Sequence, residues 1–161
     1  MKELIMAKYG EIALKGENKN TFEVMLQKNI KRRLRRYGRF EYYRRQSTIY
    51  ITPLDEVDMA LVEKKLSHVF GIGAIQRCAV FPKDFEAVCA GAKEYLAEAL
   101  ESAATFKVEA KRSDKTFPMN SPMIQQELGG ALLDLFPHLK VDVHSPDVTV
   151  RLEIRDNGAY L

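Results

Sequence analysis

The sequence predicts an α+β protein of two consecutive domains, in which helices pack on mixed sheets. Segments with the period of an amphipathic helix alternate with short segments rich in β-branched and aromatic residues. The pattern starts again after Phe81 and Pro82. With 161 residues, of which 46% are hydrophobic, the chain is long enough for two small cores. We therefore expect one domain over residues 1–81 and a second over residues 82–161.

The first half predicts the order strand, helix, strand, strand, helix, strand. The expected bounds are residues 2–8, 20–37, 39–45, 47–52, a helix after Pro53, and residues 71–81. The first helix has an apolar stripe at spacings of three and four, formed by Phe22, Met25, Leu26, Ile30, Leu34 and Tyr37. Gly38 is expected to end this helix and Asp55 to cap the next one. The order is that of a ferredoxin-like split βαβ domain.

The second half predicts helix, strand, helix, strand, strand and the opening of one further strand. The expected features are Asp84 as a helix cap, a strand over residues 105–111, a helix capped by Ser121 with Pro122 next, and strands over residues 140–143 and 148–155. Serine followed by proline is typical of a helix N-terminus. Apolar and polar residues alternate in the last strand, which predicts one solvated face and antiparallel neighbours.

Positive charge is concentrated in one run, KNIKRRLRRYGRFEYYRR, at residues 28–45. It contains nine of the 25 Lys and Arg residues and a single acid, Glu41. The net charge of the whole chain is only +3, so the rest of the chain is net negative. A basic patch interleaved with aromatic rings is typical of a nucleic-acid surface, and the alternative is an ordinary solvated helix face.

On a helical wheel most of these cations fall on the side opposite the apolar stripe. They are Lys28, Lys31, Arg32, Arg35 and Arg36. Arg33 instead projects within the apolar arc, where its aliphatic stem would lie along the core with the charge reaching out. Half of the basic run therefore predicts one coherent helix face.

Catalytic and metal-binding signatures are missing from the sequence. It has no P-loop, no GxSxG and no HExxH, and its three histidines are far apart. Cys78 and Cys89 have no CxxC partner and are expected to be buried free thiols. The first residues do not resemble a signal peptide, and no apolar stretch could span a bilayer, so a cytoplasmic location is expected.

A second basic site is predicted where a strand, a loop and a helix N-terminus meet. The strand ends at Lys111 and Arg112, the loop adds Lys115, and the helix begins near Asn120 and Ser121. Cations beside the positive end of a helix dipole form a site for phosphates. Gly129 and Gly130 indicate a close backbone approach, either by a packed helix, which is the more common cause, or by a ligand.

Two stretches resemble known tRNA-modification modules. FKVEAKRSDKTFPMNSPMIQQELGGAL, followed by VDVHSPDVTVRLEIRDNGAYL, closely resembles a THUMP domain. KYGEIALKGENKNTFEVMLQKNIKRRL is similar to the ferredoxin-like domain at the start of 4-thiouridine synthetases, the ThiI family of tRNA sulfurtransferases. The two resemblances together span essentially the whole chain.

The resemblance implies a tRNA partner and defines the contact residues that we predict. In that family the THUMP domain holds the acceptor stem and the single-stranded 3′ CCA end of tRNA. The predicted contact residues are Lys111, Arg112, Lys115, Asn120 and Ser121 in the second half and Lys28, Lys31, Arg32, Arg35 and Arg36 in the first. We expect the AKRSDK loop to discriminate between RNAs. The basic run at residues 28–45 is expected to attract the tRNA backbone without such discrimination.

The resemblance also implies chemistry that lies outside this sequence. Family members continue into a PP-loop domain that binds ATP with Mg²⁺, adenylates a uridine and receives sulfur through cysteine persulfide chemistry from a cysteine desulfurase. They are typically homodimers, and some supply sulfur for the thiazole of thiamine. The SGGxDS loop and the catalytic cysteine of that domain are not in this sequence. This chain alone is therefore expected to bind tRNA, without metal or cofactor, and to catalyse nothing.

Two alternatives remain at this point. The chain could be the tRNA-binding region of another THUMP-containing enzyme, a methyltransferase or a deaminase, which the downstream sequence would distinguish. It could also be a ferredoxin-like interaction module that binds no nucleic acid. That second alternative predicts no salt-sensitive RNA binding and leaves the basic run unexplained.

Overall fold

The computed structural model describes residues 2–10 and 18–161 and divides the chain into two compact units. The first unit spans Lys2–Cys78 and the second Ala79–Leu161. Most of the YGEIALKG stretch, at residues 9–16, lies outside the described residues. No helix among the described residues is long and apolar enough to cross a bilayer.

Six elements begin in the first unit, in the predicted order. They are β1 (Glu3–Lys8), α1 (Asn18–Leu34), β2 (Phe40–Arg45), β3 (Thr48–Pro53), α2 (Met59–Leu66) and β4 (Ala74–Phe81). The strand order β2-β3-β1-β4 is that of a ferredoxin-like sheet, so the predicted fold class is confirmed. Gln46 and Ser47 join β2 to β3 with φ angles of 51° and 54°, as a two-residue hairpin turn with matching twist requires.

Both helices of the first unit differ in detail from their predictions. Residue 34 ends α1, and residues 35–37 form a turn, so Arg35 and Arg36 lie just beyond the helix. Met25, predicted to face the core, is 60% exposed. The predicted cap Asp55 is wrong, because its carboxylate binds Arg39. Asp58 caps α2 instead and accepts a hydrogen bond from the Leu61 amide at 3.2 Å.

The second unit contains six further elements. They are α3 (Phe85–Glu101), β5 (Thr105–Arg112), α4 (Ser121–Leu135), β6 (Lys140–Val141), β7 (Val148–Arg155) and β8 (Gly158–Tyr160). The strands lie in the order β8-β7-β5-β6, and the last residues of β4 pair with β8. The predicted antiparallel pairing of β7 holds only towards β8, since β5 runs parallel to β7.

Each unit has its own core between helices and one sheet face. In the first, Leu26, Ile30 and Leu34 of α1 are buried against Ile5 and Ile51. The second core gathers side chains from α3, α4 and β5, among them Val88, Leu100, Phe106, Ile124, Leu128 and Leu132. The face of β7 that was predicted to be solvated is only partly exposed to solvent. Glu153 and Arg155 are buried and form an ion pair at 3.0 Å.

Candidate nucleic-acid interface

The basic run is not uniformly available, because two of its arginines are engaged by carboxylates. Arg39 binds Asp55 through Nη2 at 2.7 Å and through its backbone amide at 2.9 Å. These hydrogen bonds hold the pKa of Asp55 below its usual value. Arg44 lies 3.8 Å from Glu23. Positive charge accessible to a partner is therefore concentrated on and just after α1.

A basic groove lies beside the C-terminal ends of α1 and α2 in the first unit. We call it the arginine groove; it encloses about 580 Å³ and is lined by Arg32, Arg33, Arg35, Arg36 and Lys65, together with aromatic and polar neighbours. The four arginines are exposed, and none of the described residues lining the groove is acidic. Arg33, predicted to reach out from within the apolar arc, is exposed and lines this groove with the other arginines.

Lys28 and Lys31 lie on the other flank of α1. They line a smaller groove of about 250 Å³ with Val24 and Arg44. Lys31 Nζ lies 5.3 Å from the centre of the Tyr42 ring, a cation–π geometry. Burial raises the pKa of Tyr42 to about 12. The single basic face predicted for α1 is thus divided between two grooves.

The loop that joins β5 to α4 is held in place by hydrogen bonds to the carboxylate of Asp114, one from outside the loop and two from within it. Asp114 accepts hydrogen bonds from Lys83 Nζ and Thr116 Oγ1, each at 2.6 Å, and from the Thr116 amide at 3.0 Å. These contacts, that of Lys83 foremost, hold the pKa of Asp114 far below its usual range. Phe117 is buried in the second core. The loop that carries Lys115 therefore has a defined shape.

The strand end separates two of the predicted contact residues. Successive strand residues point to opposite faces, and Ala110 packs on the core beneath α4. Arg112 lies on that same face and donates from Nη1 to the Phe117 carbonyl at 3.0 Å. Lys111 is exposed and lies on the opposite face. Only Arg112 is therefore placed at the loop, where part of its hydrogen-bonding capacity holds the loop backbone.

Asn120 and Ser121 form the start of α4, and Lys115 lies in the loop that precedes it. Lys115 is exposed. Asn120 Oδ1 accepts from the Met123 amide at 3.0 Å, so Asn120 is the N-cap and the predicted cap Ser121 is the first helical residue. Sequence reasoning missed Lys83, whose ammonium reaches this loop through Asp114. No local signal points to it, since Lys83 and Asp114 are 31 residues apart.

A third groove, of about 480 Å³, runs along α4 beside Gly129 and Gly130. A Cβ added at Gly130 would meet nothing within 4 Å, and one at Gly129 would lie 3.9 Å from Val108. Close helix packing, the more common cause of paired glycines, therefore does not account for them. Both glycines line open space next to the exposed Val141 and Val143.

The cysteines and His138 lie in or next to the packed parts of the protein. Cys78 is buried, whereas Cys89 is only half-buried, so the prediction for Cys89 is wrong; burial raises the pKa of its thiol. His138 Nε2 lies 3.0 Å from the Leu100 carbonyl and 3.1 Å from the Ala103 carbonyl near the end of α3. Within residues 2–10 and 18–161, no group of three or more His, Cys, Asp or Glu is arranged to hold a metal ion.

Two family models match consecutive parts of the chain. The ThiI ferredoxin-like domain matches residues 4–75, and the THUMP domain matches residues 82–161. The first range contains the arginine groove, and the second contains the loop between β5 and α4 with both of its flanking elements. Each basic site therefore lies within one of the two matched domains.

Two similar curated proteins are both named as tRNA sulfurtransferases. A probable tRNA sulfurtransferase from Limosilactobacillus fermentum is 40% identical over 158 residues, which is 98% of this chain and 39% of that protein. Another from Acetivibrio thermocellus is 41% identical over 159 residues, 97% of this chain and 41% of that protein. The chain thus spans about 40% of the length of the relatives that it matches.

Two solved structures are similar to this chain over almost its whole length. A 4-thiouridine synthetase, crystallised in complex with RNA and ATP, superposes with a TM-score of 0.83 at 32% identity over 99% of this chain and 40% of that one. PH1313 from Pyrococcus horikoshii superposes with the same TM-score at 25% identity, over 98% of this chain and 52% of that one. The chain therefore carries a ThiI ferredoxin-like domain over residues 4–75, followed by a THUMP domain over residues 82–161.

Proposed function

We propose that this chain is the tRNA-binding region of a tRNA sulfurtransferase that makes 4-thiouridine, and that it holds the acceptor stem and the 3′ CCA end. The observation that carries the proposal is the combination of a THUMP domain with two exposed cationic sites in one chain. The similar 4-thiouridine synthetase crystallised with RNA supports the same partner.

The two units have different roles in the proposed RNA binding, because their charges are arranged differently. The arginine groove carries four exposed arginines, and its lining has no carboxylate among the described residues, so it attracts phosphates of any sequence. The loop between β5 and α4 has fewer cations but a fixed shape, beside the amides at the start of α4. A fixed site of this kind suits an RNA end, where unpaired nucleotides present their base edges.

The remaining chemistry belongs in our proposal to a longer protein. ATP and Mg²⁺ would bind there outside these residues, sulfur would come from a cysteine desulfurase, and two copies would cooperate on one tRNA in the cytoplasm. In our proposal the same chemistry also supplies sulfur for the thiazole of thiamine. The support for this assignment is the name shared by relatives that are longer than this chain.

Reversing the charge of Lys115 tests the loop. The change Lys115→Glu is expected to weaken binding of an acceptor-stem minihelix about fivefold and to reduce the salt slope by about 1. Lys93→Glu on α3 is the matched control, because Lys93 is exposed and lies outside both basic sites. Titrations by fluorescence anisotropy at several salt concentrations measure both quantities. Equal losses for the two variants would remove the loop from the binding site.

Shortening the RNA tests what the loop recognises. Removal of the CCA end should weaken binding to the unaltered protein, and the Lys115→Glu variant should be much less sensitive to the removal. If trimming leaves the affinity unchanged, recognition is confined to the helical stem. If no RNA binds with a salt-dependent affinity, the chain is an interaction module of another kind and the proposal fails.

Removing a negative charge gives a test with an unexpected sign. Asp114→Ala makes the loop more positive, so simple electrostatics predicts tighter RNA binding. The structure predicts the opposite, a loss of several-fold, because Thr116 and Lys83 lose their shared acceptor and the loop loses its shape. Glu127→Ala on α4 serves as the control for charge alone, because that residue is exposed. A gain in affinity for Asp114→Ala would show that the shape of the loop is unimportant.

A further inference from the structure

Phe70 is the most exposed large hydrophobic residue described in the chain, with 95% of its surface accessible to solvent. Single exposed hydrophobic residues are common and usually carry no meaning. Phe70 differs in its surroundings, because it lines the arginine groove together with Tyr37 and the arginines at the end of α1. An apolar ring is thus placed among cations in the groove that four exposed arginines line.

The turn that carries Phe70 is anchored on both sides. Val69 before it is buried in the first core, and its amide donates to the Leu66 carbonyl at 3.0 Å. Gly71 after it has a φ of 102°, and a Cβ there would lie 3.1 Å from the Phe22 ring. Only glycine adopts this conformation readily. The backbone on either side therefore fixes Phe70 in an outward position.

The groove has the size and the chemistry of a nucleotide site. Its volume of about 580 Å³ lies within the range of small-molecule sites, about 300–1,000 Å³. Lys65 is within it, 5.9 Å from the centre of the Tyr37 ring. Proteins that bind single-stranded nucleic acid combine cations that follow the backbone with aromatic rings on which bases stack. An exposed ring flanked by four arginines reproduces that combination.

We propose that the arginine groove binds an unpaired nucleotide of the RNA, whose base stacks on Phe70 while the flanking phosphates contact Arg32, Arg33 and Arg36. This assignment rests on the proposed RNA-binding function and adds a single-stranded contact in the ferredoxin-like domain. A duplex keeps its bases stacked inside, so the ring would add nothing to duplex binding. Phosphate contact alone explains the arginines but does not explain Phe70.

The test compares oligonucleotides with and without bases. Phe70→Ala is expected to weaken binding of a single-stranded hexauridylate about tenfold and to leave binding of an abasic oligonucleotide of equal length and charge unchanged. Leu54→Ala is the matched control, since Leu54 is 55% exposed and lies outside the groove. It should bind both oligonucleotides like the unaltered chain.

A fluorescent variant supplies a second measurement. The chain contains no tryptophan, so Phe70→Trp introduces a single emitter at the site. Hexauridylate should quench this emission and bind at least as tightly as before, whereas the abasic oligonucleotide should bind without quenching. Absence of quenching by either oligonucleotide, together with an unchanged affinity for Phe70→Ala, overturns the proposal.

The outcomes separate this proposal from the broader one. If Phe70 variants have no effect while Lys115→Glu still weakens minihelix binding, the base contact is wrong and the tRNA-binding function stands. If no RNA binds in any form, both fail. A change in sedimentation of Phe70→Ala with unchanged RNA affinity would assign the ring to a protein contact and would also overturn the proposal.

Discussion

Replacing Arg32, Arg33 and Arg36 together by glutamine is expected to weaken RNA binding on the order of 100-fold near 0.15 M salt. The three side chains line one groove, and each contact with a phosphate displaces condensed counterions. The salt slope should therefore fall by about 3. The loss should be similar for RNAs of different sequence, because phosphate contacts carry no sequence information. Anisotropy titrations at four salt concentrations on two unrelated hairpins measure all three quantities.

The control for this variant removes the same charge elsewhere. Lys2, Lys64 and Lys93 are exposed and lie outside the arginine groove, and their joint replacement by glutamine changes the net charge equally. This variant should lose only a few-fold in affinity and keep most of the salt slope. Should both triple variants lose the same affinity, the net charge and not the groove would govern binding.

Gly91→Ala is expected to lower the free energy of unfolding of the second unit by about 1–3 kcal/mol, the usual cost of overpacking a core. Alanine in a helix interior is ordinarily about 1 kcal/mol more favourable than glycine. At Gly91 the added Cβ would overlap Cε1 of Phe81 and would lie 2.5 Å from Cζ of the same ring. The Phe81 ring packs against the second core, so it must shift to make room for the Cβ. Alanine therefore destabilises the second unit here, whereas it ordinarily stabilises a helix relative to glycine.

Gly130→Ala is the matched variant for this prediction. It makes the same substitution in α4, where an added Cβ meets nothing within 4 Å, so it should raise the free energy of unfolding by up to about 1 kcal/mol. Urea unfolding followed by circular dichroism compares the two variants with the unaltered chain. Stabilisation by both substitutions would mean that the Phe81 ring moves aside without cost.

The elements with a clear hydrophobic period were predictable from the sequence, and helix ends were less so. Two aspartates precede α2, and both are suitable caps. The choice between them depends on Arg39, 16 residues away from Asp55, which no local pattern contains. Asn120 and Ser121 present the same ambiguity, because adjacent residues of capping type differ only in where the helix starts.

The candidate sites were predictable in composition but not in arrangement. The density of Arg and Lys near α1 was visible in the sequence, whereas the division into two grooves depends on α2 and β2. The separation of Lys111 from Arg112 follows from strand alternation and could have been deduced from their neighbouring positions. Phe70 gave no sequence signal, because HVFGI resembles any apolar stretch before a strand.

The backbone pairing of Ala79 with Leu161 has a consequence for the order of folding. Each residue donates to the carbonyl of the other, at 3.1 and 3.0 Å, so two residues far apart in the sequence are paired within the second unit. Contacts between residues so distant in sequence form late and slow folding. During synthesis the first unit has all its residues once Cys78 has left the ribosome. The second must wait for Leu161, so we expect the two units to fold one after the other.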